Sequence, residues 1–485
     1  MSTVSSESEL DRLVAVARSH EPSYGNLPAP VPAPELPSGA VTTVAALALR
    51  DLFLSWGLDA ERAGTSQWNP LGVFVRPGDR VAIKPNWVLH WNKSGAGLQC
   101  LVTHQSLIEA LLEYLFLTEP GKVVIGDAPV QGCDFDALRE ACGLDHIVST
   151  FRQRGLNVRV EDFRRTVLPG EKLGGERIEE ARGMEHYLLY DLGPDSLLEP
   201  ISEDADRFRV TMYNPDLLRR THRRGRHQYL VAREVIEADV VFNLPKLKSH
   251  KKACVTGALK NLVGINGHKE YLPHHRKGGS RNGGDCYGGS SWLKSGAEFV
   301  YDHANRLHPG RAQALLARSG EILLRLATVF GEDANLEGSW FGNDTVWRTC
   351  LDLQRILRYG TGDGRMSDSP QRLVVSITDA IVAGEGEGPM APTPVAAGFL
   401  TGGTNPAAVE WVNARLMGFD PARIPLTRHA FDRFRYPIAT FTVEDVVVRE
   451  GDAVLRASEV SPRDGRAFRP PAGWVGHCEL VPAEK

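Results

Sequence analysis

The densest chemistry in the chain falls between residues 243 and 281. Nine basic side chains lie there (Lys246, Lys248, Lys251, Lys252, Lys260, Lys269, Arg276, Lys277 and Arg281) against one acid, Glu270. His250, His268, His274 and His275 share the window. Ammonium and imidazole groups gathered in one place focus a positive potential that suits a phosphate or carboxylate. The bland alternative is a solvated basic face. A nucleic-acid surface is disfavoured, because Tyr271 is the one aromatic available for stacking. The pair His274-His275 can reach a metal from a loop, although the spacing matches no standard ligand set. His222 and His227, five residues apart, do not share a helical face.

Three apolar runs stop at polar residues: VAI at Lys84-Pro85-Asn86, VVI at Gly126-Asp127-Ala128-Pro129, and DVVF at Asn243-Leu244-Pro245-Lys246. Strands end this way where they open into a ligand crevice, and also in simple turns. Thr103 reads as a helix N-cap, with His104 beside the helix start. After the run RLVVSIT comes DAIVAGEGEGP, which presents Glu385 and Glu387 as acid–base groups or ligands for a hard cation, or is a flexible acidic loop.

Missing motifs narrow the field. There is no G-x-G-x-x-G phrase opening a helix, so no NAD fingerprint is expected. P-loop, H-E-x-x-H and G-x-S-x-G phrases are also absent. Seven cysteines with no C-x-x-C pair argue against a resident iron–sulfur cluster and against a secreted disulfide framework.

These residues need a scaffold, and the text supplies one. The chain has 485 residues, 42% hydrophobic and 24% charged, with a net charge of −4, as in an ordinary globular protein. Strand-like runs at 80–84, 122–126, 157–160, 207–213, 239–244, 372–378 and 439–449 alternate with helical patterns at 41–57, 105–117, 134–142 and 405–417. The expectation is an α/β fold: mixed, largely parallel sheets flanked by helices in two lobes, with a helical, glycine-rich insertion. Residues 1–39 read as a short helix, a flexible leader and a proline-rich linker. A main lobe follows over 40–275, an insertion or cap over 276–365, and a second lobe over 366–485. No run approaches a membrane span and no secretory signal is evident, so a cytoplasmic protein without membrane or nucleic-acid partners is expected; the oligomeric state is not legible.

The phrases VAIKPNWV, THQSLIEALLEYL, VVIGDAP, ADVVFNLPKLKSHKKACVTGALKNLVGINGHKEYLPHH, NDTVWRTCLDLQRIL, DAIVAGEGEGP and NPAAVEWVNARLMGFDPARIP run in one order from about residue 80 to 425. They resemble the domain of unknown function 362 family. Many relatives in that family carry a ferredoxin-type module, for which this chain lacks the cysteines. The resemblance also implies a distant likeness to lactate racemase, whose site lies between two α/β lobes and uses histidines, lysines and a nickel cofactor. The family often has aspartate where this chain has Glu410.

Together these readings lead to an enzyme acting on a small anionic metabolite between lobes. Metal-assisted redox or carbon-centred chemistry in a specialised biosynthetic pathway is expected, and a non-catalytic binding protein is the alternative. The expected catalytic groups are His250, His275, Lys260 and Asp127. Lys84, Asn86, Lys246, Lys248, Asn261 and Lys269 are expected to bind substrate. His274, His275, Glu385 and Glu387 are expected to hold a divalent or redox metal such as iron, nickel or magnesium.

Overall fold

The computed structural model describes residues 7–25, 37, 43–168, 178–179, 181–210, 213–308, 310–333, 336–462 and 465–480. Twelve strands form the main sheet: β1 (Leu13–Arg18), β2 (Arg80–Pro85), β3 (Lys122–Asp127), β4 (Val158–Asp162), β5 (Val240–Leu244), β6 (Lys246–His250), β7 (Cys254–Thr256), β8 (Leu373–Glu387), β9 (Ala391–Val395), β10 (Phe399–Gly403), β11 (Val447–Glu450) and β12 (Ala453–Arg456). Their order is β12-β11-β1-β10-β8-β5-β2-β3-β4, with β6 and β9 along the far half of β8 and β7 on β6. The fold is thus mixed α/β, and the half that carries the strand ends, β8-β5-β2-β3-β4, is wholly parallel.

Period-two alternation explains how the sheet is covered. Val81 and Ile83 of β2 and Val240 and Phe242 of β5 join one apolar core with helices Val44–Trp56 and Gln105–Phe116. Ala82 and Val241 face the opposite core, where helices Val346–Tyr359 and Pro406–Leu416 pack. Both faces are dry, so the strands read as continuous apolar runs.

Several expectations change. Residues 13–18 are not part of a leader: they form β1, between β10 and β11. Its partners lie hundreds of residues away, which hid it from local reading. Helix Glu7–Arg12 precedes it, and residues 26–36 of the proline-rich run fall outside the described residues. One sheet draws strands from both expected lobes, because β5 pairs with β2 on one side and β8 on the other. The helices Trp292–Arg306 and Arg311–Val329 fall within residues 276–365 and pack on each other. Val346–Tyr359, however, is core, with Leu351, Leu353, Ile356 and Leu357 fully buried. DAIVAGEGE is no loop: β8 continues through it because β6 and β9 pair along it. Residues 207–213 give only the strand Phe208–Arg209 in their described part. Among the described residues, no helix is long and apolar enough to cross a membrane.

Where β6 joins β8, a charge is buried in the sheet. Lys246 Nζ lies 2.7 Å from Asp379 Oδ2, and both side chains are fully buried. Tyr24 closes the cluster: its hydroxyl donates to Asp379 and accepts from Lys246 Nζ at 2.6 Å. Its ring stacks on His104 at 3.7 Å. Asp379→Ala would strand a buried ammonium and should lower unfolding stability by about 3–5 kcal/mol. Tyr24→Phe should cost about 1–2 kcal/mol. Urea unfolding followed by far-UV circular dichroism checks both; equal losses would contradict this ordering.

Candidate functional site

A cavity of about 410 Å³ opens where β2 and β3 end, the place where open α/β sheets hold ligands. Its lining includes Asn86, Asp127, His250, Lys252, Lys260, Asn261, Gly264, Lys269 and His274. Seven of the residues expected from sequence therefore meet here: Asn86, Asp127, His250, Lys260, Asn261, Lys269 and His274.

The floor is a buried polar network. Lys84 Nζ lies 2.8 Å from Asp127 Oδ1. It also donates to Pro85 O at 2.6 Å and to Asn261 Oδ1 at 3.1 Å. Asp127 Oδ2 accepts the Trp87 amide at 2.6 Å. Burial pushes the Lys84 amine down and the Asp127 carboxyl up, while their mutual attraction opposes both shifts. Asn261 also donates to Lys84 O and to Asn243 Oδ1, tying β2, β5 and the short helix Ala258–Asn261 together. Gly264 crosses directly over the ion pair: a Cβ there would sit 1.9 Å from Asp127 Oδ1 and 2.8 Å from Lys84 Nζ. Only a residue without a side chain fits.

Above the floor, Lys269 Nζ donates to Ala128 O at 2.8 Å, and burial lowers its pKa to about 7. Lys260 Nζ has no hydrogen-bond or ion-pair partner among the described residues, and its side chain lines the cavity. The two histidines hold opposite tautomers. His250 Nδ1 accepts the amides of Lys252 (3.1 Å) and Ala253 (3.2 Å), which leaves Nε2–H as a donor. His274 Nδ1 lies 2.6 Å from Leu272 O and so carries the proton, which leaves Nε2 as an acceptor. Burial, then the charges of Lys260 and Lys252, holds His250 neutral. The arrangement can grip an anion and offers it both a proton donor and a proton acceptor.

The other expected residues lie elsewhere. Lys84 sits beneath the floor. Lys246 is locked on Asp379. Lys248 is fully buried and donates to Asn86 Oδ1 and Leu101 O; burial, then Lys246, pushes its amine well down. These three lysines support the strand ends rather than line the cavity. Glu385 Oε2 accepts the Arg469 amide at 2.9 Å. Glu387 pairs with Lys251 at 2.9 Å and accepts the Ala472 amide at 2.8 Å. Both carboxylates anchor residues 469–472, and neither lines the cavity that His274 lines. Adjacent residues on an extended backbone point to opposite sides, and His275 duly turns into a second cavity of about 140 Å³. The helix N-cap is His104, while Thr103 bridges Leu244 O and the Asn86 amide. Glu410 is buried beneath Gly257, near the amides that open helix Ala258–Asn261, and burial raises its pKa to about 7. It therefore supports the turn that carries Lys260. His222 and His227 are buried structural residues, bonded to Tyr271 O at 2.9 Å and Glu199 at 3.1 Å.

Sequence reading missed Tyr24, Gly264, and the partners of His275. Cys286 and Glu298 stand with it, all three buried, with ligating atoms within 4.8 Å of one another, a geometry compatible with a metal ion. The phrase GGDCYGG was a usable signal for Cys286; nothing in sequence linked Glu298 to it.

A curated relative, a thylakoid-associated protein of Synechocystis, is 24% identical over 357 residues, 73% of this chain and 68% of that protein. A solved structure from Thermotoga maritima is 10% identical, covers 71% of this chain and 53% of its own, and superposes with a TM-score of 0.28. The family described as Domain of unknown function (DUF362) matches residues 81–191 and 199–415. The chain is a member of the DUF362 family.

Proposed function

We propose that the chain is an enzyme that holds a small carboxylate- or phosphate-bearing metabolite in the Lys260–Lys269 cavity and moves a proton on it. The observation that carries this reading is the pairing, in one cavity, of the Lys260 and Lys269 amines with His250 and His274 in opposite tautomers. The lysines fix the anionic end of the ligand. Burial, then the charges of Lys252 and Lys260, holds His274 neutral. Once the ligand's negative charge offsets those lysines, His274 Nε2 takes a proton from the bound molecule, and His250 Nε2–H stabilises the negative charge that develops. A carbon-centred isomerase or lyase type reaction follows from these roles. The polar floor keeps Asn86 and Asn261 from moving as charge shifts above them.

Titration calorimetry with inorganic phosphate and with malonate tests the grip. Lys260→Met should weaken both about 10- to 100-fold, the worth of a charge-assisted hydrogen bond. Equal binding by wild type and variant overturns the site. Proton exchange tests the chemistry: small carboxylic acids incubated with the protein in D₂O should lose an α-proton signal in the NMR spectrum. His274→Gln should stop that loss while phosphate binding persists. If no acid exchanges while phosphate still binds, the non-catalytic binding protein is the correct reading.

Lys269 sets a pH dependence. It faces Asp127 and Lys84 from the strands, Lys260 from the short helix and Arg164 from the loop after β4. Its pKa of about 7 means that it is charged below neutrality and uncharged above. Phosphate affinity should therefore fall as pH rises through about 7, beyond the change due to phosphate's own ionisation. Binding at pH 8 should take up a proton, seen as a buffer-dependent heat. Lys269→Arg stays charged and should remove the uptake; its persistence there would assign the proton to another group. Gly264→Ala should lower phosphate affinity and thermal stability together, since its methyl displaces Asp127; unchanged affinity would uncouple the floor from the cavity.

A further inference from the structure

We infer that His275, Cys286 and Glu298 form a binding site for a zinc-class divalent ion, separate from the lysine-ringed cavity. Three different elements deliver the ligands. His275 lies on the two-residue strand His275–Arg276, paired with Phe208–Arg209. Cys286 follows the glycine-rich turn at 278–284, and Glu298 sits in the middle of helix Trp292–Arg306. Their exposures are 5%, 1% and 7%. A tetrahedral zinc site places its ligand atoms about 3.3–3.8 Å apart, so atoms already within 4.8 Å need only a small inward settling.

The imidazole points independently to a ligand. His275 Nδ1 is buried without a hydrogen-bond partner, and no ring atom of His275 makes a hydrogen bond or ion pair among the described residues. An unsatisfied buried ring nitrogen is costly unless something binds it. The outer contacts are those that orient ligands. Cys286 Sγ accepts the Glu337 amide at 3.1 Å, and the Glu298 carboxylate accepts the Gly278 amide at 3.0 and 3.2 Å.

Charge fits as well. A thiolate and a carboxylate balance a dication. Three cations lie nearby: Arg209 Nε is 2.7 Å and Lys277 Nζ 2.6 Å from Asp302, while Lys252, whose charge acts on both His275 and Cys286, faces Glu337. Thiolate with imidazole selects zinc, cobalt or iron over magnesium. The cavity of about 140 Å³ beside the triad leaves room for a water as fourth ligand. Glu337 lines this cavity and the larger one.

Cobalt is the probe. Full-length protein stripped with chelator and titrated with Co²⁺ should bind one equivalent, with a thiolate-to-cobalt charge-transfer band and the visible bands of tetrahedral cobalt, all displaced by Zn²⁺. Cys286→Ser should abolish the charge-transfer band. Glu298→Gln should weaken cobalt binding more than about tenfold. X-ray absorption of the zinc-loaded wild type, which needs no variant to fold, should give one sulfur and three nitrogen or oxygen neighbours. A wild type that binds no cobalt, a band that survives in Cys286→Ser, or a zinc shell without sulfur overturns the site.

Discussion

Three fully buried lysines set the terms for the rest of the molecule. Lys84, Lys246 and Lys248 lie beneath the carboxyl ends of β2 and β5, with no exposed surface. A buried ammonium is tolerated only where its donors are met. Two of these lysines have a carboxylate each, Asp127 and Asp379, and the third has an amide oxygen and a carbonyl. Each partner comes from a different strand or loop. Meeting the needs of these lysines therefore fixes how β2, β3, β6 and β8 end relative to one another. The cavity inherits its shape from that agreement.

This division of labour separates two kinds of lysine that look alike in sequence. NLPKLKSH places Lys246, Lys248 and His250 on one side of β6 by simple alternation. Lys246 finds its carboxylate on β8 and Lys248 its acceptors on the loops at Asn86 and Leu101, and of the three only His250 lines the cavity. Lys260 and Lys269 lie beyond the strand, where the backbone turns through Gly264. Interior lysines shape the cavity, and Lys260 and Lys269 line it.

Much of this was legible in the residues. Short apolar runs ending in Lys84, Asp127 and Asn243 marked parallel strands and their open ends, because strands buried on both faces carry few polar side chains. Asn86, Asp127, His250, Lys260, Asn261, Lys269 and His274 do converge. Long-range pairing was not legible. LVAVAR becomes a strand only because residues 399–403 and 447–450 flank it. GEGEG continues a strand only because β6 and β9 supply ladders on both sides. His274 and His275 looked like a pair, but an extended backbone sends neighbours to opposite sides. Tyr24 lay beside a proline-rich run with nothing local to tie it to Asp379.

The position of β1 bears on how the polypeptide is made. It leaves the ribosome hundreds of residues before β10 and β11, the two strands it sits between. LVAVAR must therefore wait, with its apolar side chains uncovered, until both of those strands have been made. Glu9 and Arg12 of the helix just before it are exposed and keep charge next to that waiting strand.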